Sequence, residues 1–551
     1  MSQSQSKRSP LASPLSVLVI GIVLVTLIGV WARPFAFPVD ETRYLAVAWE
    51  MWWRDDFVLP WINGQPYDHK PPLLFWLIHA GWAVFGVNDW WPRWIGPLCI
   101  LLAAVALAKL GRRVYPQVAD AGAYAALLVF STTYLAVYQT GIMFDALLLV
   151  AITTGWLGLH AAVTRGQWRD WGLFALGGAL GMLTKGPVTL LYLLPALLAA
   201  TLWRPSGAPP LHLSRAVVAV LAMVVPVLLW AFAAGMQGGE QYLRDLLIGQ
   251  TAKRVQGAMG HPRPFYWYLP LLLLLSLPWL LWWPLWKAGW SSWKHSTRAR
   301  LAMPWWLALP ALLALMLVSG KQVHYLIPIM AALALPLAAA LQRSDARASR
   351  WHAIPMAAMN GVLFPVLILL LPAYWPQANP PTIVQFAAAA VAILTAIAML
   401  LWASGPANRV ATHFALLHVI ALGALLVGVM STIRPDYDLR PMAVFVAEQQ
   451  AQGRSIGYVG VYQGELHFAG RLKQRIEPVP VEDALAWSAA HPHALLMMRS
   501  KRVNLLPQAH VEARTRYKRA EWLAISTDEF TSGRAEVIDP LIRSERRNTD
   551  G

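Results

Sequence analysis

Charge is what this sequence has least of. Only 13% of its 551 residues are Asp, Glu, Lys or Arg, against 57% hydrophobic residues, and the mean hydropathy is +0.46. A soluble domain carries about 25% charged residues, so an ordinary soluble core is excluded. Cysteine is nearly absent. The single Cys99 sits in the apolar run WIGPLCILLAAVALA, which excludes an intramolecular disulfide and a thiolate zinc site and reads as a small buried residue. No P-loop, dinucleotide fingerprint, zinc spacing or internal repeat occurs, which argues against a nucleotide-driven pump.

What is present is a succession of apolar runs of roughly 18 or more residues, each long enough to cross a bilayer. About thirteen spans are predicted, at 14–32, 93–110, 120–139, 143–163, 171–184, 187–203, 215–235, 266–286, 303–318, 324–341, 353–373, 381–403 and 411–432. The stretch Val17–Val30 is followed by WARPF without a small-residue cleavage site, so it reads as a retained first span rather than a signal peptide. The net charge of +17 does not mark a nucleic-acid surface. Residues 434–551 carry a balance of only +2, and no Lys/Arg cluster interleaves with aromatics. The rest lies in loops such as Arg112/Arg113, Arg165/Arg169 and Arg343/Arg347/Arg350, which the positive-inside rule puts in the cytoplasm. The N-terminus is then cytoplasmic and the C-terminus outside.

On this topology the acids of the membrane part fall mostly on the outer side. Ten of thirteen do so: Asp40, Glu41, Glu50, Asp55, Asp56, Asp68, Asp89, Asp145, Glu240 and Asp245. Acids contribute little to orientation, so the skew points to chemistry on the outer face. Two outer loops are long, 33–92 and 236–265. The first contains DETRYLAVAWEMWW and PPLLFWLIHAGWAVFG, which read as amphipathic helices lying along the interface. After residue 432 hydropathy drops. SIGYVGVY, ALLMMRS and EWLAIS read as strands, and RPMAVFVAEQQAQ and VEDALAWSAA as helices. The expected fold is therefore an all-α polytopic membrane protein, with a membrane domain at 1–432 and a small periplasmic α/β domain at 433–551 that ends in a disordered tail.

Four constellations carry chemistry. Asp40-Glu41-Thr42-Arg43-Tyr44 puts two acids at a membrane boundary. Either Asp40 caps a helix, or it accepts a proton from an attacking hydroxyl. In Asp68-His69-Lys70-Pro71-Pro72 two prolines pin a lysine at headgroup height. It marks a water boundary by snorkelling or binds phosphate, with Asp68 and His69 beside it able to orient it or to ligate a metal. Asp145, Lys185 and the Lys321/Tyr325 pair border apolar runs, where ionisable residues are functional candidates by default. Lys253-Arg254, with His261 and Arg263 downstream, forms either a phosphate grip or a solvated loop. Together they supply a carboxylate for an acceptor hydroxyl and fixed cations for a leaving phosphate.

The ordered motifs DETRY-x(5)-EM, NGQPY-x-x-KPPLLFW, FD, LTKGP and SGKQVHYLIP resemble the polyprenyl-phosphate-dependent GT-C glycosyltransferases. The nearest group is the bacterial aminoarabinose transferases of the protein O-mannosyltransferase-like superfamily. The resemblance covers most of residues 10–345. It implies a catalytic role for Asp40, with Glu41 beside it, and for Asp145. It implies a lipid-phosphate region lined by Arg43, Tyr44, Lys70, Lys185, Arg254, Lys321 and Tyr325. This chain departs from the group in having His69 where a Glu usually precedes the lysine, and Gln250-Thr251 where Glu-His is usual. Those family residues accompany a bound metal, so a divalent ion is left to Asp68, His69 and His261. The implied function is inverting transfer of a sugar, 4-amino-4-deoxy-L-arabinose in the nearest group, from a polyprenyl-phosphate donor. The acceptor is lipid A or another envelope glycan at the periplasmic face of the inner membrane. The alternatives are a protein acceptor and, from a different class, a lipid or solute transporter.

Overall fold

The structure, a computed structural model, describes residues 13–33, 36–37, 39–118, 120–246, 263–295, 298–375, 380–500, 511–518 and 520–532. Lys253, Arg254, His261 and the tail at 542–551 lie outside the described residues. The chain divides into two compact units. One comprises residues up to 32, 68–373 and 379–429, and the other 33–67, 374–378 and 430 onward.

The first unit is almost wholly helical. In chain order the elements named below are α1 (Pro14–Ala32), α2 (Asp40–Arg54, in the second unit), α3 (Leu73–Phe85), α4 (Trp90–Val114), α5 (Ala121–Phe130), α6 (Thr133–Tyr138), α7 (Phe144–Arg165), α8 (Trp168–Lys185) and α9 (Val188–Leu198). Eight helices among the described residues are long and apolar enough to cross a membrane, as expected of a multi-pass membrane protein. Helices α7 and α8 form a hairpin closed by Gly166 in the left-handed conformation. Its helices touch backbone to backbone. A Cβ on Gly177 would lie 2.4 Å from Gly155 N, and one on Gly158 2.3 Å from Phe174 N. Such small-residue seams are how helices pack in a lipid environment, where no hydrophobic force presses them together.

Two expected spans are broken. The span at 120–139 ends as α5 at Phe130, and Thr132 turns extended to cap α6, its hydroxyl 3.4 Å from Leu135 N. The span at 266–286 stops at Leu275 and resumes at Trp283 after a short turn, Trp279–Leu281. Pro278 supplies no amide proton and disfavours helix at Leu277. The breaks satisfy one another. Thr133 N donates to Leu277 O at 2.9 Å, and Trp279 Nε1 donates to Ser131 Oγ at 3.1 Å. Buried His418 adds a polar bridge, with Nε2 3.1 Å from Thr133 Oγ1 and Nδ1 2.9 Å from Asn360 Oδ1. Broken backbone is tolerated at membrane depth only when protein groups take up its polar atoms, and here they do.

The second unit is built on a five-stranded sheet. Its strands are β5 (Ile456–Val459), β6 (Glu477–Val479), β7 (Leu495–Ser500), β8 (Ala513–Tyr517) and β9 (Ala520–Ser526), in the order β6-β5-β7-β9-β8. β5 runs parallel to β6 and β7, and β9 antiparallel to β7 and β8. Side chains alternate between two apolar layers. Leu495, Met497 and Trp522 pack with Met442 and Val446 of the helix Arg440–Ala451. Leu496, Met498 and Leu523 pack with Ala484 and Phe530 on the other face. The sequence predicts β5, β7 and β9 but not β6 or β8. Both are edge strands, one carrying Pro478 and the other reading ARTRY, and edges carry such residues instead of a clean alternation.

Residues 33–67, the first part of the loop 33–92 expected to belong to the membrane part, pack into this sheet unit. Trp49 Nε1 of α2 donates to Leu472 O at 2.9 Å. The hairpin β1 (Trp61–Ile62) and β2 (Gln65–Pro66) turns on Asn63 and Gly64, both at positive φ. Asn63 clasps the backbone of Ile476 in both directions, Nδ2 to O at 2.7 Å and N to Oδ1 at 2.8 Å. The remaining short pair, Arg347–Ala348 with Gly405–Pro406, belongs to the first unit.

Within the sheet unit His467 is fully buried, with Nδ1 2.8 Å from the Tyr462 hydroxyl. Burial pushes its pKa down to about 4. The unfolded chain binds the proton near 6.5, the folded unit only near 4, so this contribution is complete above 6.5 and is lost as pH falls between the two. It amounts to about 3 kcal/mol. Melting of the full chain in detergent at pH 7.5 and pH 5 should show a smaller acid-induced loss in His467→Gln than in wild type. Equal losses would remove the histidine from the account.

Candidate active site

The polar centre of the first unit is made by the α7–α8 hairpin. Asp145 is the second residue of α7, and Lys185 the last of α8. An acid at a helix N-terminus and a cation at a C-terminus are each favoured by the aligned peptide dipoles. Gly186 leaves the helix at φ +71°, and Pro187 leads into α9, which fixes where Lys185 ends. Lys185 Nζ donates to Asp145 Oδ1 at 2.5 Å, and both side chains are buried. The second carboxylate oxygen accepts from Tyr138 Oη at 2.9 Å, and His324 Nε2 lies 3.9 Å from it.

Aromatic side chains surround the pair. Lys185 Nζ sits 4.6 Å from the centre of the Tyr325 ring, a cation–π contact. Tyr134 stacks on Tyr138, and Tyr138 on His324. Tyr192 of α9 donates to Tyr325 O at 2.8 Å, and Tyr268 Oη both donates to Gln322 O and accepts from Gln322 N, at 3.2 and 3.0 Å. Lys321 is buried, its ammonium donating to Val318 O at 2.5 Å. The segment SGKQVHYLIP is thus held by α9 and by the helix that opens at Tyr268. Of the expected residues, Asp145, Lys185 and Tyr325 come together in one cluster. The sequence did not single out Tyr134, Tyr138, Tyr192, Tyr268 or His324. The signal available for Tyr138 was the helix-breaking Thr140-Gly141 between it and Asp145, and for His324 its place beside Tyr325.

A second group lies on α2. Asp40 is the first residue of the helix, with Val39 at the cap position and no side-chain cap, so the capping role weighed from sequence is not what it performs. Its Oδ1 is 3.3 Å from the Tyr44 hydroxyl, which donates to it, and 3.6 Å from Arg43 Nη2. The Asp40 side chain is 49% exposed, which leaves it accessible to a reacting group. Glu41 is buried instead. It pairs with Arg33 and accepts from Phe37 N at 3.3 Å, so its charge is engaged in holding the entry to the helix. Farther along α2, Glu50 Oε1 accepts from Arg54 and from Gly64 N at 2.9 Å, fastening the hairpin.

Lys70 is partly buried ahead of α3, with His69 Nε2 3.5 Å from Asp68 Oδ1. Among the described residues no group of three or more His, Cys, Asp or Glu side chains could hold a metal ion. Adjacent Asp68 and His69 do not make a closed ligand set. Arg254 and His261 lie outside the described residues.

Residues 69–230 match the family described as dolichyl-phosphate-mannose-protein mannosyltransferase. The undecaprenyl phosphate-alpha-4-amino-4-deoxy-L-arabinose arabinosyl transferase of Edwardsiella ictaluri is 28% identical over 316 residues, 55% of each chain. That of Pseudomonas aeruginosa strain UCBPP-PA14 is 30% identical over 335 residues, 59% of each. The aligned stretch therefore spans less than two thirds of these relatives' length. The crystal structure of ArnT from Cupriavidus metallidurans bound to undecaprenyl phosphate superposes with a TM-score of 0.71 at 20% identity, covering 92% of this chain and 97% of that one. The GT-C type of fold expected from the motifs is the fold found, and the resemblance to the aminoarabinose transferase group holds in sequence as well.

The buried pair generates a stability prediction. Removing one partner of a buried ion pair costs about 3–5 kcal/mol, because the other charge is stranded. Lys185→Met should therefore lower the melting temperature in detergent more than the double variant Lys185→Met/Asp145→Asn. Equal or additive losses would show that the two charges do not depend on each other.

Proposed function

We propose that this protein is an inverting glycosyltransferase. It moves a sugar of the 4-amino-4-deoxy-L-arabinose type from a polyprenyl-phosphate donor to lipid A at the periplasmic face of the inner membrane. The thirteen-span topology, with a cytoplasmic N-terminus and a periplasmic α/β domain, belongs to this reading, as does the division at residues 432/433. The observation that carries it is the buried Asp145–Lys185 pair under the Tyr325 ring. A lysine locked by a carboxylate and an aromatic face inside a membrane domain is a preorganised cation, suited to negative charge that grows during a reaction.

The chemistry follows from the donor. The acceptor hydroxyl attacks the anomeric carbon from the face opposite the phosphate. The new C–O bond forms as the bond to the phosphate oxygen breaks, the electron pair leaves with the polyprenyl phosphate, and the configuration inverts. Asp40 accepts the hydroxyl proton, held by Tyr44 and Arg43. Lys185, Lys70 and Lys321, with Tyr325, stabilise the leaving phosphate. Asp145 touches Lys185 and acts by fixing that ammonium. The donor's apolar chain has a place in a cavity of about 800 Å³ lined by Trp279, Trp283, Trp286, Trp290, Trp293 and Trp305. Leu272 and Thr132 also line it. The first lies on the helix that Tyr268 opens, and the second caps α6, which carries Tyr134 and Tyr138.

The test is mass spectrometry of lipid A from cells expressing wild type or Asp40→Asn. Wild type should add the mass of the amino sugar. Asp40→Asn should lose about a hundred-fold or more of the transfer rate at unchanged expression and melting temperature. Unmodified lipid A with glycosylated envelope protein would favour the protein acceptor, which the matched mannosyltransferase family suggests. Full activity in Asp40→Asn would remove Asp40 as the base.

A further inference from the structure

The polar patch where the two broken spans meet contains a histidine that the reaction above does not use. His418 lies in the helix Ala407–Ile433, and its side chain is fully buried. It faces Asn360, which sits in a π-helical turn, Met359–Leu363, between the helices Arg350–Ala358 and Phe364–Tyr374. Such turns occur frequently at functional sites. Asn360 Nδ2 donates to Met356 O at 2.7 Å, which leaves the amide oxygen as the atom 2.9 Å from His418 Nδ1. An amide oxygen only accepts, so Nδ1 carries the ring proton. With both partners uncharged, the neutral ring leaves Nε2 as an acceptor, and the Thr133 hydroxyl donates to it at 3.1 Å.

Thr133 is the first residue of α6. Its backbone N–H goes to Leu277 O at 2.9 Å, so amide and hydroxyl anchor the same residue on two different partners. With only six residues, α6 is too short to hold itself as an isolated helix. Ala136 and Val137 pack it against Met359, Phe364, Ala421 and Leu422, from the same two segments as Asn360 and His418. Its last residue, Tyr138, donates to Asp145 Oδ2 at 2.9 Å, and Asp145 Oδ1 accepts from Lys185 Nζ at 2.5 Å. Hydrogen bonds and one short helix therefore lead without a gap from Asn360 to the ammonium.

We propose that His418 is a positioning residue for the transfer reaction: by holding the Thr133 hydroxyl it fixes α6, and through Tyr138 and Asp145 it fixes where the Lys185 ammonium stands. The inference rests on the reading of Lys185 as a cation for the leaving phosphate. Such a cation stabilises growing charge without reorganisation only while it is held in place. Loss of the bond between His418 and Thr133 lets α6 shift, and the Tyr138 hydroxyl no longer pins the carboxylate that holds Lys185.

The experiment uses full chains in detergent, with a polyprenyl-phosphate aminoarabinose donor and lipid A. Thr133→Val keeps the branched shape and the backbone N–H and removes only the hydroxyl. It should lower kcat by about three- to ten-fold, the worth of one neutral hydrogen bond, with the donor KM changed much less. Thr133→Ser should restore the rate. His418→Phe should lose about as much as Thr133→Val, and His418→Gln, whose amide oxygen can accept from Thr133, should keep part of the rate. The decisive comparison is a cycle with Tyr138→Phe. If α6 transmits the effect, Thr133→Val/Tyr138→Phe should be no slower than Tyr138→Phe alone. A double variant slowed by the product of the two single effects would overturn the proposal. So would a wild-type kcat in Thr133→Val or His418→Phe, whatever their melting temperatures, because a merely structural role lowers stability and leaves the folded enzyme's rate unchanged. If wild type itself transfers no sugar, the functional reading fails. The melting temperatures of the same cycle then decide the positioning claim: losses that do not add support it, and strictly additive losses overturn it.

Discussion

Two charges buried among apolar helices cannot be separated without stranding one of them, and that constraint organises the first unit. Asp145 and Lys185 sit at the same end of the α7–α8 hairpin. They meet only if the two helices run in register, which the contacts of Gly155, Gly158 and Gly177 enforce by letting the backbones touch. The aromatic groups then have fixed partners. Tyr138 reaches one carboxylate oxygen, Tyr325 covers the ammonium, and Tyr192 and Tyr268 hold the segment from which Tyr325 comes. Desolvation makes each partner costly alone, and the cost secures the geometry of the site.

A second constraint acts on the backbone. The chain breaks two membrane helices, and it settles the exposed groups of one break on the other through Thr133, Leu277, Ser131 and Trp279. His418 and Asn360 join this patch from two further helices. The first break sits just before α6, which carries Tyr134 and Tyr138, so the irregularity aims side chains at the Asp145–Lys185 pair. The second opens the tryptophan-lined cavity. In the sheet unit, the hairpin at Asn63 and Gly64 and the Trp49–Leu472 hydrogen bond fasten α2, and with it Asp40 and Arg43, to the strands.

Much of this was legible in the sequence, for identifiable reasons. Long apolar runs announced the helices, and rare charges inside them announced Asp145 and Lys185. The alternation in β5, β7 and β9 announced the sheet. The breaks at Ser131 and Pro278 were harder to read, because an apolar run does not say whether its neighbours can satisfy a broken backbone. Tyr138 and His324 were missed because a polar aromatic beside a membrane span is common, and only proximity to Asp145 gives it meaning. That residues 33–67 join the sheet unit could not be read from hydropathy, since the links are hydrogen bonds between residues far apart in the chain, Asn63 with Ile476 and Trp49 with Leu472.

The central claim is that fixed cations in this fold recognise the phosphate of a polyprenyl lipid. Native mass spectrometry can weigh undecaprenyl phosphate against undecaprenol, which differ only in that group, on purified wild type and on Lys70→Ala. Hydrogen bonds to charged groups contribute about 1.5–3 kcal/mol, so the phosphate should bring about ten-fold or more in affinity. That preference should shrink in Lys70→Ala. Equal binding of the two lipids by wild type would contradict the account.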